Sequence, residues 1–234
     1  QEVLGWLPQE AIRWAAGTVP ARDTQGKEVW NSKPADIINL SIGLFGPCPA
    51  SMQAAINDAV AAGAIVVAAA GNARVDTQYF APGGCQNVIS VAASDQRGVL
   101  TPYSNFGANV SIMAPGGDMS RDDDHDSRPD GILSTKYSKN CIDPAKPGAT
   151  VAQCYYSYEN GTSMAAPHVS AALALLKTKF PTAVPSDLKA RLSNYLRVVK
   201  RGGEVQVLER GVPVARLIGV QGAAGDQAAR AARL

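Results

Sequence analysis

Ala64-Ile65-Val66-Val67-Ala68-Ala69 is six apolar residues in an unbroken row. A strand with one wet face alternates apolar with polar residues, so an unbroken apolar strand fits a parallel sheet covered on both sides. The residues before it have helical spacing instead. Met52, Ala55, Ile56, Ala59 and Val60 share one face, and Gly63 stops the run. Residues 36–41 (Asp36-Ile37-Ile38-Asn39-Leu40-Ser41) read as another short buried strand, and residues 88–93, 110–113 and 132–135 as three more. Helices are expected at residues 8–16, with Pro8 near the start and Gly17 as the stop, and at residues 162–179. Residues 18–34 and 119–129 read as polar loops, and residues 154–159 as a hairpin arm. Strand, helix, strand alternation of this kind predicts an α/β layered fold.

The second half of the chain changes character. Residues 1–184 carry 13 Lys and Arg against 16 Asp and Glu, whereas residues 185–234 carry 9 against 4. That shift marks a boundary at 184/185. Residues 187–201 form a basic amphipathic helix with Leu188, Leu192, Tyr195, Leu196 and Val199 on one face. Gly202-Gly203 ends it, and the stretches 204–208 and 213–218 flank Arg210-Gly211 as a hairpin. Residues 185–220 are therefore expected to be a small helix-plus-hairpin unit, and residues 221–234 a flexible Ala/Gly/Arg-rich tail. No apolar run approaches the roughly 20 residues of a membrane helix, so no membrane partner is expected. The chain starts with Gln1 and shows no basic-then-apolar leader, so it reads as a mature product or a fragment.

Four cysteines are present, Cys48, Cys85, Cys141 and Cys154, and none forms a C-x-x-C pair that would suggest zinc or redox chemistry. An even count in loop-like contexts fits two disulfides in a secreted protein. Cys48–Cys85 and Cys141–Cys154 is the favoured pairing, because the first two follow strand-like segments in Pro/Gly-rich loops and the second two flank one loop. Four free buried thiols is the alternative.

The chemistry is concentrated in Gly161-Thr162-Ser163-Met164-Ala165-Ala166-Pro167-His168-Val169. A small-residue loop delivers one hydroxyl to the first turn of a helix, whose positive end suits a nucleophilic serine. An ordinary helix start, with Thr162 or Ser163 as the cap, is the plain alternative. The string resembles the serine motif of the subtilisin-like serine proteases. Further stretches resemble the same family in the same order. Asn39-Leu40-Ser41-Ile42-Gly43 is similar to its substrate-edge strand, which implies that Ser41, Ile42 and Gly43 pair with an extended polypeptide substrate. Val67-Ala68-Ala69-Ala70-Gly71-Asn72 is similar to the segment ending in the oxyanion-stabilising asparagine. There a neutral amide donates to the charge that grows on the carbonyl oxygen during acyl attack. Taken without the family, Gly71-Asn72 reads as a turn. The resemblance also implies that Ala69, Ala70 and Gly71 line the pocket for the residue before the cut, and such small residues predict an open, apolar-tolerant pocket. Tyr103-Ser104-Asn105-Phe106-Gly107 and Ile112-Met113-Ala114-Pro115-Gly116 match stretches whose family roles are structural.

The resemblance covers roughly residues 8–180. It implies a three-layer parallel sheet with helices on both faces, lacking the N-terminal part of that fold, and secretion or a periplasmic location. It requires no cofactor and allows calcium as a structural ion. The acidic stretch with Asp118, Asp122, Asp123, Asp124, Asp126 and Asp130 has no Asp-x-Asp-x-Asp-Gly frame and reads first as a solvated charge run, so no metal ligands are assigned. The family's Asp-Ser/Thr-Gly and His-Gly-Thr-His strings are absent. Of the two histidines, His168 lies inside the serine motif and points away from Ser163, and His125 sits in the acidic loop. A serine without a base is a poor nucleophile, so the chain as it stands is expected to be inactive. The tail from Asp187 to Leu217 resembles the DNA-binding part of prevent-host-death type antitoxins. That resemblance implies a DNA and a toxin partner, phosphate contacts from Lys189, Arg191, Arg197 and Arg201, and a cytoplasmic location if the tail is functional. A basic helix and hairpin that merely close the protease domain is the alternative.

Overall fold

The computed structural model describes residues 8–136, 156–200, 204–209 and 212–218. Helix α1 (Pro8–Ala15) begins on Pro8, where the missing N–H would have had no helical partner. It ends at Gly17, whose φ of 73° lies in the left-handed region. Gly17 N–H donates to the Trp14 carbonyl and Thr18 N–H to the Arg13 carbonyl, both at 2.9 Å. This closes the helix end in the paired pattern that satisfies its last carbonyls. Loop 18–34 is more ordered than its polar composition suggests. Ala21–Arg22 pairs antiparallel with Glu28–Val29 around a turn held by Asp23, which accepts from the N–H groups of Gln25 and Lys27 at 2.9 Å.

Four strands make the central sheet: β1 (Ile37–Leu40), β2 (Ile65–Ala69), β3 (Val88–Ser94) and β4 (Val110–Pro115), in that spatial order. All three pairings are parallel. Every residue of β2 is buried. Because successive side chains point to opposite faces, Val66 and Ala68 join one core cluster while Val67 and Ala69 are buried on the other side. Helix α2 (Ala50–Ala61) connects β1 to β2. It presents Met52, Ala55, Ile56 and Ala59 to the cluster that also holds Ile12, Ile38 and Leu40. The predicted α/β sheet covered on both faces is thus observed. On the side of β1 away from β2, no further strand is paired among the described residues.

Cys48 and Cys85 form a disulfide with Cα atoms 5.1 Å apart. It lies beyond a short ladder in which Leu44–Phe45 pairs with Phe80–Ala81. The other favoured pair, Cys141 and Cys154, lies outside the described residues. Strands β5 (Ile132–Thr135) and β6 (Tyr156–Glu159) form an antiparallel pair, and β6 leads directly into the long helix α3 (Thr162–Lys179). The acidic loop is built rather than merely solvated. Asp118 N–H donates to the Asp130 carbonyl at 2.8 Å, Asp130 Oδ2 accepts from Asp123 N–H at 2.8 Å, and Asp122 accepts from the N–H groups of Asp126 and Ser127.

The described residues divide into two compact units, one holding residues up to 96 with 100–170, the other residues 97–99 with those from 171 onward. The second contains the end of α3, helix α4 (Pro185–Lys200) and an antiparallel pair, β7 (Glu204–Glu209) with β8 (Val212–Ile218). The predicted helix and hairpin are both present. No helix among the described residues is long and apolar enough to cross a membrane.

Candidate active site

Ser163 is the second residue of α3, and neither of the capping roles open to it or to Thr162 is used. Gly161 occupies the cap position. Its φ is 152°, and its carbonyl accepts the first helical bonds, from Met164 N–H at 3.0 Å and Ala165 N–H at 3.3 Å. Ser163 Oγ lies 3.5 Å from the Ser41 carbonyl. The backbone of Ser163 is held by a sequence-encoded defect. Pro167, inside the helix, has no N–H to give the carbonyl four residues earlier, which is that of Ser163. Ser41 Oγ–H supplies the missing donor at 2.9 Å. Ser41 Oγ in turn accepts from Asn39 Nδ2 at 2.9 Å, and Asn39 Oδ1 accepts from Ser170 Oγ at 2.9 Å. The first turns of α3 are thereby fixed to the end of β1.

Asn72 lies just past β2. Its Oδ1 accepts from Thr162 N–H and from Thr162 Oγ–H, both at 2.9 Å. A backbone N–H can only donate, so the amide oxygen must face Thr162 and the amide nitrogen must face the other way. Nothing among the described residues accepts from that nitrogen, and Asn72 is exposed. Thr162, wholly buried, also accepts from Gly71 N–H at 3.1 Å. One hydroxyl therefore joins the loop after β2 to the start of α3. Gly71 has φ 105°, a conformation that favours glycine.

Asn105 completes the loop. It is fully buried. Its Nδ2 donates to the Ala70 carbonyl at 2.9 Å, its Oδ1 accepts from Ala73 and Val75 N–H at 2.9 and 3.1 Å, and its own N–H donates to the Gly71 carbonyl at 2.8 Å. Tyr103, from the same stretch, donates its hydroxyl to the Gly117 carbonyl at 2.6 Å. Burial raises its pKa above the ordinary 10.0. Sequence reasoning gave the stretch around Asn105 a structural role without identifying what it holds, and it assigned nothing to Thr162 beyond capping.

The structure thus brings Ser163, Asn72, Ser41 and the Ala69–Gly71 loop end into one bonded network. Among the described residues it brings no base to Ser163. His168 Nδ1 donates to the Met164 carbonyl at 2.8 Å, and His125 is exposed in the acidic loop with φ 59°. Ser163 Oγ bonds to neither imidazole and to no carboxylate among the described residues. Asp122, Asp124 and Asp130 hold one carboxylate oxygen each within 4.8 Å of one another. Such an all-oxygen donor set suits a hard divalent cation. In the second unit, the Arg191 guanidinium stacks on the Phe180 ring at 3.8 Å from its centre. The side chains of Lys189 and Arg197, and all of Arg201, lie outside the described residues.

The family described as "Subtilase family" (Peptidase S8) matches residues 6–210. An extracellular protease of Xanthomonas campestris pv. campestris is 38% identical over 195 residues, 81% of this chain and 28% of its own length. An extracellular basic protease of Dichelobacter nodosus is 33% identical over 199 residues, 82% of this chain and 30% of its own. Among solved structures, a protease of Pseudoalteromonas arctica superposes with a TM-score of 0.65 at 37% identity, covering 80% of this chain and 50% of that one. The chain therefore spans less than a third of the two extracellular proteases. The family match runs to residue 210, so α4 falls within it, and the antitoxin resemblance of the tail gains no support.

Proposed function

This chain belongs to the subtilase family of serine peptidases, and on that premise we propose that Ser163 and Asn72 are the nucleophile and the oxyanion donor of a peptide-bond-hydrolysing site. A polypeptide would lie extended along Ser41, Ile42 and Gly43. Ser163 Oγ would attack the carbonyl of the scissile bond as its proton leaves to a base, giving an acyl-enzyme that water then resolves. The carbonyl oxygen, negative during attack, would be met by Asn72 Nδ2–H and by the N–H of Ser163, which bonds to no acceptor among the described residues at the first turn of α3. The observation that carries this reading is the pair of Thr162 bonds on Asn72 Oδ1. They leave the amide with only its donor side free, beside the serine-bearing helix end. No cofactor enters the chemistry. Asp122, Asp124 and Asp130 would hold calcium as a structural ion only.

Among the described residues none is placed to take the serine proton, and on this reading the chain by itself hydrolyses no peptide bond. Without a base, such a site retains about 10³–10⁴-fold over water from binding and oxyanion stabilisation. The Cys48–Cys85 disulfide and the extracellular relatives support secretion. Amide chemical shifts of the labelled chain, titrated with an N-acetyl tetrapeptide amide of alanine and proline, test the binding half of this reading. Shifts confined to residues 41–43, 69–72 and 161–164 are expected, and shifts clustered elsewhere would reject it.

A further inference from the structure

The small residues at 69–71 imply a roomy pocket, but the chain fills that space with a ring from a segment to which the sequence reading assigned nothing. Phe80 stands opposite Phe45 in the short ladder, and the two rings meet edge to face with centres 5.6 Å apart. The Cδ1–Cε1–Cζ edge of Phe80 lies against two glycines remote in sequence. A Cβ on Gly43 would fall 2.0 Å from Cε1 and 2.2 Å from Cζ, and a Cβ on Gly71 would fall 2.7 Å from Cδ1 and 2.8 Å from Cε1. Both approaches are far inside van der Waals contact, so the ring occupies the volume that side chains at 43 and 71 would need. Gly43 ends the proposed substrate edge, and Gly71 precedes the proposed oxyanion donor. The ring therefore spans the two walls between which the substrate side chain before the cut would enter.

The backbone carrying Phe80 is held firmly. Its carbonyl accepts from Gly84 N–H at 2.7 Å, and the Tyr79 carbonyl accepts from Gly46 N–H at 2.8 Å. Asp76 caps the preceding turn through Gln78 N–H at 2.9 Å. The Cys48–Cys85 disulfide ties together the two arms that continue from the ladder. A ring with its backbone bonded, one edge against two glycines and another ring beside it has little room to swing aside.

We propose that Phe80 determines specificity by forming the wall between Gly43 and Gly71, limiting the substrate residue before the scissile bond to small side chains. This rests on the reading that Ser41–Gly43 and Ala69–Gly71 line that pocket. The test needs no hydrolysis. N-acetyl-Ala-Ala-Pro-Ala and N-acetyl-Ala-Ala-Pro-Phe, each with a free carboxylate as a cleavage product would have, are titrated into the full chain, and Kd is read from amide shifts. The wild type should bind the alanine peptide at least about 10-fold more tightly, and Phe80→Ala should narrow or invert that ratio by about 10-fold, the scale on which an apolar pocket discriminates. Phe80→Leu, which keeps an apolar side chain at the ladder, should move the ratio in the same direction and serves if the alanine variant does not fold. Binding of both peptides with a ratio insensitive to Phe80 would overturn the assignment and leave the substrate site standing. Failure of every peptide to bind the folded wild type would overturn the substrate site and this inference together.

Discussion

Thr162 carries more of the site than the serine beside it. Its hydroxyl accepts from Gly71 and donates to Asn72, and it is wholly buried. Thr162→Val keeps the shape and removes both bonds, leaving the Gly71 N–H buried without an acceptor. Such orphaning costs about 1–3 kcal/mol, which urea unfolding should show as a lower midpoint at unchanged slope. Asn105→Ala strips partners from the Ala70 carbonyl and the Ala73 and Val75 N–H groups. It should cost about 3 kcal/mol or more by the same measurement, and should broaden the amide signals of residues 70–75. Tyr103 gives a pH dependence. Its folded pKa lies above the unfolded 10.0 because burial disfavours the phenolate. The folded state thus holds this proton more tightly, and stability falls as pH rises from about 10 through the folded value. Tyr103→Phe should flatten that alkaline loss in unfolding curves taken from pH 9 to 12. The roles proposed for Ser163 and Asn72 could be suggested from sequence because each sits inside a contiguous string. Those of Thr162, Asn105 and Phe80 could not, since their partners lie far away in sequence: 90 residues separate Thr162 from Asn72, and 35 separate Asn105 from Ala70.

At the scale of elements, burial and covalent closure do most of the work. Ile56 on α2 is fully buried in the cluster under β1 and β2, so Ile56→Ala should cost about 2–5 kcal/mol in denaturant unfolding. Replacing Cys48 and Cys85 together by Ser opens a loop closed over a separation of 37 residues, a loss of roughly 3–4 kcal/mol by the chain-entropy account. Elements with one dominant signal were read closely. The apolar run gave β2, and Gly17 and Gly63 mark the helix stops. Elements made by side-chain-to-backbone bonds were not. The ladder at 21–22 and 28–29 depends on Asp23 accepting two N–H groups. The acidic loop depends on carboxylates used as backbone acceptors. In sequence, both look merely polar.

At the scale of the molecule, the charge boundary near residue 185 pointed to a second module, while the family match passes through it to residue 210. A basic helix is a weak signal of partner because cations also serve locally, as Arg191 does over Phe180. The central proposal is that Ser163 and Asn72 act as nucleophile and oxyanion donor, with no base to activate the nucleophile among the described residues. Reaction of the folded chain with a fluorophosphonate serine probe, beside Ser163→Ala, tests it most directly. The account predicts the same negligible labelling for both proteins. Labelling of the wild type that disappears in Ser163→Ala would contradict it, since Ser163 could then be activated by a group within this chain.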